Sequence, residues 1–175
     1  NILGGRRDVM LTWKSASALA YTSKVQVLNG TGVLDLFNDD QVVSELMLEY
    51  GTTGELNADL TGVNAFQLLI DFVTMDTNAA SVAMTVSTTG MGSDTVTKST
   101  PTGVNSAVLI FPHADFAGVD FTDVDYLSFE IVTTQGGDYT IDILESSVIP
   151  EPLTMLGVFG AVVGIGGYIR RRSRA

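Results

Sequence analysis

From Tyr126 to Leu144 the chain reads YLSFEIVTTQGGDYTIDIL. Leu127, Phe129 and Ile131 alternate with Ser128, Glu130 and Val132. Gly136-Gly137-Asp138 interrupts the pattern, and Tyr139, Ile141 and Ile143 resume it. A repeat of two is what a half-buried strand requires, because successive side chains leave the backbone on opposite faces. The stretch predicts two strands turning back on each other around the glycines.

The same pattern recurs outward from there. Asp8–Trp13 is a first strand. Lys24–Leu28 and Val33–Phe37 flank Asn29-Gly30-Thr31-Gly32, a hairpin signal because Asn and Gly accept the positive φ of a tight turn. Glu45–Tyr50 places Leu46, Leu48 and Tyr50 inward and Glu45, Met47 and Glu49 outward. Phe66–Met75 turns Phe66, Leu68, Ile70 and Phe72 to the core, and Leu69 and Val73 on its back predict a central strand covered on both sides. Ser81–Ser87, Thr95–Ser99 and Ala107–Phe111 complete the set. No window shows a sustained 3.6-residue repeat. About ten short strands at spacings of roughly 8–15 residues predict an all-β fold, a two-sheet antiparallel sandwich of jelly-roll type.

Composition agrees and excludes several functions. At 175 residues the chain can bury one real core. It has no cysteine, which removes disulfide scaffolds, thiolate metal sites and cysteine nucleophiles. One histidine, His113, removes a multi-histidine metal site within one chain. Residues 1–149 hold Arg6, Arg7, Lys14, Lys24 and Lys98 against nineteen of the twenty acids, a net charge of −14. Such a body repels phosphate, so nucleic acid is not an expected partner.

The last 26 residues differ in kind. Leu153–Ile169 is a 17-residue run without charge, and at about 1.5 Å per residue its helix would span roughly 26 Å. That predicts one short C-terminal transmembrane helix. Arg170, Arg171, Arg172 and Arg174 follow, and the positive-inside rule holds them in the cytoplasm. Pro150-Glu151-Pro152 precedes the run; two prolines enforce an extended, accessible backbone, the form a protease takes. The chain divides into a β-sandwich head (1–145), a linker with the Pro-Glu-Pro motif (146–152), the transmembrane helix (153–169) and a basic cytoplasmic tail (170–175).

This closing stretch resembles the PEP-CTERM sorting signal of Gram-negative bacteria that make exopolysaccharide. The resemblance implies export, transient anchoring in the inner membrane, recognition by an exosortase, cleavage near Pro150-Glu151-Pro152 and release to the outer surface or matrix. The chain opens at Asn1 without Met, read as the loss of an N-terminal export signal. The head also resembles domains found before such tails, in Leu3-Gly4-Gly5-Arg6-Arg7-Asp8 and in Gly118-Val119-Asp120-Phe121-Thr122-Asp123-Val124-Asp125 before the last two strands. Jelly-roll carbohydrate modules often carry a structural calcium joining first and last strands. By that resemblance Asp8 and Asp142 are its candidate ligands.

Asp120-x-x-Asp123-x-Asp125 and Asn38-Asp39-Asp40 are dense enough in oxygen to hold calcium, but neither has EF-hand spacing, and capping of turns is the preferred reading. No GxSxG elbow accompanies His113, which is read as an ordinary loop residue. No carboxylate pair is singled out for glycoside hydrolysis. Trp13, Tyr50 and Tyr126 are candidates for stacking on sugars, although Tyr50 is in phase with its strand's core face and Trp13 reads as half-buried packing. The sequence therefore describes an exported structural protein of the cell surface or matrix, not an enzyme, associating with its own copies through sheet edges. The alternative is an exopolysaccharide-binding module; a hydrolase is a remote third.

Overall fold

Alternating apolar residues demand a second layer, and two sheets supply it for each other. The computed structural model describes residues 7–16, 21–27, 33–52, 56–73, 80–90 and 92–147. Its strands are β1 (Asp8–Ala16), β2 (Ser23–Val27), β3 (Leu34–Asn38), β4 (Val42–Tyr50), β5 (Ala65–Phe72), β6 (Ser81–Thr88), β7 (Gly92–Ser99), β8 (Ser106–Pro112), β9 (Tyr126–Val132) and β10 (Tyr139–Ser147). The first sheet has the order β1-β4-β9-β6-β7 and the second β2-β3-β10-β5-β8. All pairings between these strands are antiparallel. The all-β, two-sheet antiparallel sandwich is the expected one.

The core lies where the alternation puts it. Leu46, Leu48 and Tyr50, Val82, Met84 and Val86, and Leu127, Phe129 and Ile131 face inward from the first sheet. Leu34, Leu36, Phe66, Leu68, Ile70, Phe111, Tyr139 and Ile141 meet them from the second. Phe111 and Phe129 meet edge to face across the layers at 6.2 Å, an arrangement favoured by the ring quadrupoles.

Two expectations change. Tyr126–Leu144 is not a hairpin: β9 lies in the first sheet and β10 in the second. Residues 133–138 arch between layers, fixed by Thr133 N–H donating to the Ser44 carbonyl and Gly136 N–H to that of Val42. Alternation tells which side chains are buried, and two strands facing each other across a core satisfy it as well as two paired side by side. The true hairpin partners include β2 with β3 and β6 with β7. Secondly, β5 is interior to its sheet, but no described strand covers its back, and Val73 just past its end is 57% exposed.

The arch is held by a buried amide. Asn38, 7% exposed, accepts from Ser23 Oγ at 2.6 Å and Ser44 Oγ at 2.9 Å through Oδ1. Its Nδ2 donates to Thr133 Oγ1 at 3.1 Å and to the Gly137 carbonyl at 2.9 Å. Its backbone N–H donates to Asp138 Oδ1 at 2.9 Å. The side chain thus uses two donors and two acceptor sites, and joins β2, β3, β4 and the arch. At the opposite end, Gly51 has φ +90°, and a Cβ there would stand 2.2 Å from the Asp125 carbonyl oxygen. Only glycine lets the chain close against residue 125.

The Asn38→Ala variant leaves the buried Ser44 hydroxyl and the Gly137 carbonyl without their amide partner, so urea unfolding should show a loss of about 2–4 kcal/mol. A loss within about 0.5 kcal/mol would assign the inter-sheet joint to apolar packing alone.

Candidate functional site: the outer face of the first sheet

Side chains directly opposed in neighbouring strands share a face, so the register builds the outer surface of the first sheet row by row. Thr12, Glu45, Val132, Ser81 and Ser99 form one row. Met10, Met47, Glu130, Ala83 and Thr97 form the next, and Asp8, Glu49, Ser128, Thr85 and Thr95 the third. Tyr126 opposes Ser87 beyond them. No strand among the described residues forms a third layer over this face. Even so, Glu45 is only 7% and Ser128 only 6% exposed. Side chains around them wall them in, so the middle of the face is recessed.

The recess is organised by charge. The Lys14 ammonium sits against Glu45 Oε2. Glu45 also shares a hydrogen bond with Glu130, its diagonal neighbour on β9. Burial alone would raise the Glu45 pKa, but the bonds from Lys14 and Glu130 and the lysine's charge outweigh it and hold Glu45 below the ordinary glutamate value. Glu130 moves the other way, raised first by its bond to Glu45, then by burial and by the Glu45 charge. The two directions agree: of the pair, Glu130 keeps its proton to the higher pH and Glu45 gives its up first. Nearby, Tyr126 Oη donates to Glu49 Oε1 at 2.6 Å, and burial followed by that bond raises the phenol pKa. The hydroxyls of Thr85 and Thr95 bond each other at 2.8 Å. A recessed floor of hydroxyls and carboxylates, with Met10 and Met47 beside it, is suited to a ligand rich in hydroxyl groups. The Glu45–Glu130 pair is in direct contact, without the roughly 5–10 Å gap that glycoside hydrolysis sets between its carboxyls.

The candidates named from sequence are placed as follows. Asp8 opens β1, opposite Glu49, and accepts from the Thr52 hydroxyl. Asp142 lies in β10 opposite Leu69, in the other sheet. They do sit in the first and last strands, but on different layers. Among the described residues no three His, Asp or Glu side chains cluster as a metal site would need. Asp120 receives the N–H and hydroxyl of Thr122 at 2.9 and 2.7 Å, Asp125 receives Thr89 N–H at 2.5 Å, and Asp39 receives Thr22 N–H at 2.6 Å. Asp120 thus caps its own turn, as expected, whereas Asp39 and the buried Asp125 tie together segments distant in sequence. Tyr50 is core, Tyr126 belongs to the outer face, and Trp13 is 52% exposed on β1. His113 stands in a single 3-10 turn, stacked on Phe121 at 3.7 Å, and burial lowers its pKa. Pro150, Glu151, Pro152, the 153–169 run and Arg170, Arg171, Arg172 and Arg174 lie outside the described residues. Among those described, no helix is long and apolar enough to cross a membrane. Sequence reasoning missed Lys14, Glu130 and Thr85 as site residues. Their only signal was their outward phase, which most solvated residues share.

No protein-family model matches the chain, and no curated protein does. Among solved structures it is similar in fold to a family 11 carbohydrate-binding module from Clostridium thermocellum, solved in complex with a β-1,3-1,4-mixed-linked tetrasaccharide. The TM-score is 0.52 at 12% identity, over 86% of this chain and 92% of that one. It is also similar to the family 11 module of a cellulosomal cellulase of the same organism, with a TM-score of 0.50 at 12% identity over 83% and 90% of the two chains.

The carboxyl pair can be watched directly. In carbon-detected NMR titrations Glu130 should titrate above, and Glu45 below, an ordinary glutamate, and Glu45→Ala should return Glu130 toward its ordinary range. Glu130's raised value contributes stability below about pH 4.5 that is lost as pH rises through it; Glu45's lowered value contributes stability above about pH 4.5 that is lost as pH falls. Two independent, ordinary titrations would dissolve the pair.

Proposed function

We propose that the chain is a polysaccharide-binding module, and that the outer face of its first sheet is the binding surface. The observation that carries this is the recess around Glu45 and Ser128: a sheet face that no described strand covers, in which these two central polar side chains are nevertheless buried. Sugars present hydroxyls that both donate and accept. Carboxylates such as Glu49 take the donors, while Thr85, Thr95 and Tyr126 offer both functions. The similarity of the fold to carbohydrate-binding modules supports the reading. The surplus of carboxylates over the single Lys14 favours neutral chains over uronic-acid polymers.

Affinity electrophoresis of the full chain in gels cast with soluble β-1,3-1,4-glucan, hydroxyethylcellulose or alginate tests it. A neutral glucan should slow the protein and alginate should not. Tyr126→Ala and Thr85→Ala should each weaken retention by about 3- to 30-fold, on the scale of one lost hydrogen bond or ring contact, while Val108→Ala on the opposite sheet should not. Equal mobility in every gel would remove the function; retention unaffected by Tyr126→Ala and Thr85→Ala would remove the site.

We place this module outside the cell. The support is the sequence of residues 149–175: Pro-Glu-Pro, an uncharged run and a terminal arginine cluster, a sorting and transient anchoring signal for an exosortase-type enzyme. Mass spectrometry of the protein from its native source should then find a C-terminus near Pro150–Pro152. A mature chain retaining Arg170–Arg174 would mean a permanent anchor.

A further inference from the structure

We propose that β1 pairs antiparallel with β1 of a second copy, joining two first sheets into one ten-stranded sheet with a single continuous outer face. Sheet order ends at β1, so among the described strands nothing pairs with its far side. Three of its exposed side chains are large and apolar, Val9 at 39%, Met10 at 48% and Trp13 at 52%, and Lys14 is exposed beside them. An edge of this kind invites a partner strand.

The sequence of β1 selects one register. Place Leu11 opposite itself on a two-fold axis normal to the sheet. Val9 then opposes Trp13 of the second copy, Met10 opposes Thr12, and Asp8 opposes Lys14. Every pairing occurs twice, as an isologous contact demands. Val9 and Trp13 share the inward face, because they pair with Leu48 and Ser44 of β4. Asp8 and Met10 share the outer face with Glu49 and Met47. In this register Lys14, which also holds Glu45, opposes Asp8 of the second copy; a two-residue slip sets it opposite Met10 in one sense and opposite Arg6, a like charge, in the other. The register shift between Trp13 and Ser15 bounds the straight part of the strand, so the pairing covers Asp8–Lys14. Seven opposed residues supply about six to eight backbone hydrogen bonds.

The other edges serve less well. In β7 the exposed side chains are Thr and Ser, with no large apolar group among them. β2 is five residues long, and β8 ends on Pro112, which has no N–H to give. The inference stands apart from glycan binding. Where both hold, two recesses share one surface, and the two β9 strands lie about 24 Å apart at the usual strand spacing.

Sedimentation velocity of the full chain in non-ionic detergent, without glycan, tests the pairing. A dimer should form, and D8K and K14D should each weaken it by at least about tenfold, while the D8K/K14D double variant restores it to within about threefold. Circular dichroism of each variant reports whether the sandwich is kept. Because the chain has no cysteine, a second measurement does not depend on charge. The M10C/T12C double variant should form a disulfide-linked dimer under mild oxidation, and neither single variant should do so efficiently. A wild-type monomer at all concentrations, an association indifferent to D8K and K14D, or no cross-link in M10C/T12C would each overturn the proposal.

Discussion

One buried amide decides how the two layers are joined. Asn38 ends a strand of the second sheet, yet its partners include Ser44 of the first sheet and Thr133 and Gly137 of the arch between β9 and β10. Apolar burial is non-directional and would tolerate several ways of stacking two sheets. A four-bonded amide in a dry site tolerates one, because any shift leaves a donor or acceptor stranded. Its satisfaction also sets where the chain crosses between layers. Gly137 is shaped to the same end: a Cβ there would stand 2.3 Å from Tyr139 Oη, an oxygen placed to bond Thr134.

The fold was legible in the sequence as far as burial is concerned, and illegible where pairing is concerned. Leu46, Leu48 and Tyr50, or Val82, Met84 and Val86, could be assigned to the core from alternation alone, since the physics that buries them is local in sequence. Which strand lies beside which is not local. The pattern of Tyr126–Leu144 was the same whether β9 and β10 paired or faced each other, and contacts distant in sequence, those of Asn38 and of the arch with β4, distinguish the two. Val73 shows a related limit. An apolar residue on the back of a strand suggests a covering layer, but folded proteins leave many such residues in water.

The site was harder still to see. Glu45 and Glu130 are 85 positions apart, and neither is unusual by itself. They meet only because Met47 opposes Glu130 in the β4–β9 register, which puts Glu45 on the diagonal. Asp120, by contrast, was readable as a turn cap, because an Asp two residues before a Thr bonds within its own turn, and Asp59 before Thr61 does the same. Asp39 and Asp125 were read alike but bond Thr22 and Thr89, far away in sequence.

The strand order has a consequence for the order of assembly. β9 sits between β4 and β6, and β10 between β3 and β5. The middle strand of each layer is therefore the last to be made. Until residue 132 has been synthesised the first sheet is not contiguous, and until residue 147 the second is not. Early segments are left with hairpins such as β2–β3 and β6–β7, which are marginal in water by themselves. Such contacts at long sequence separation also make closure slow. A chain built this way stays open until its last two strands are made.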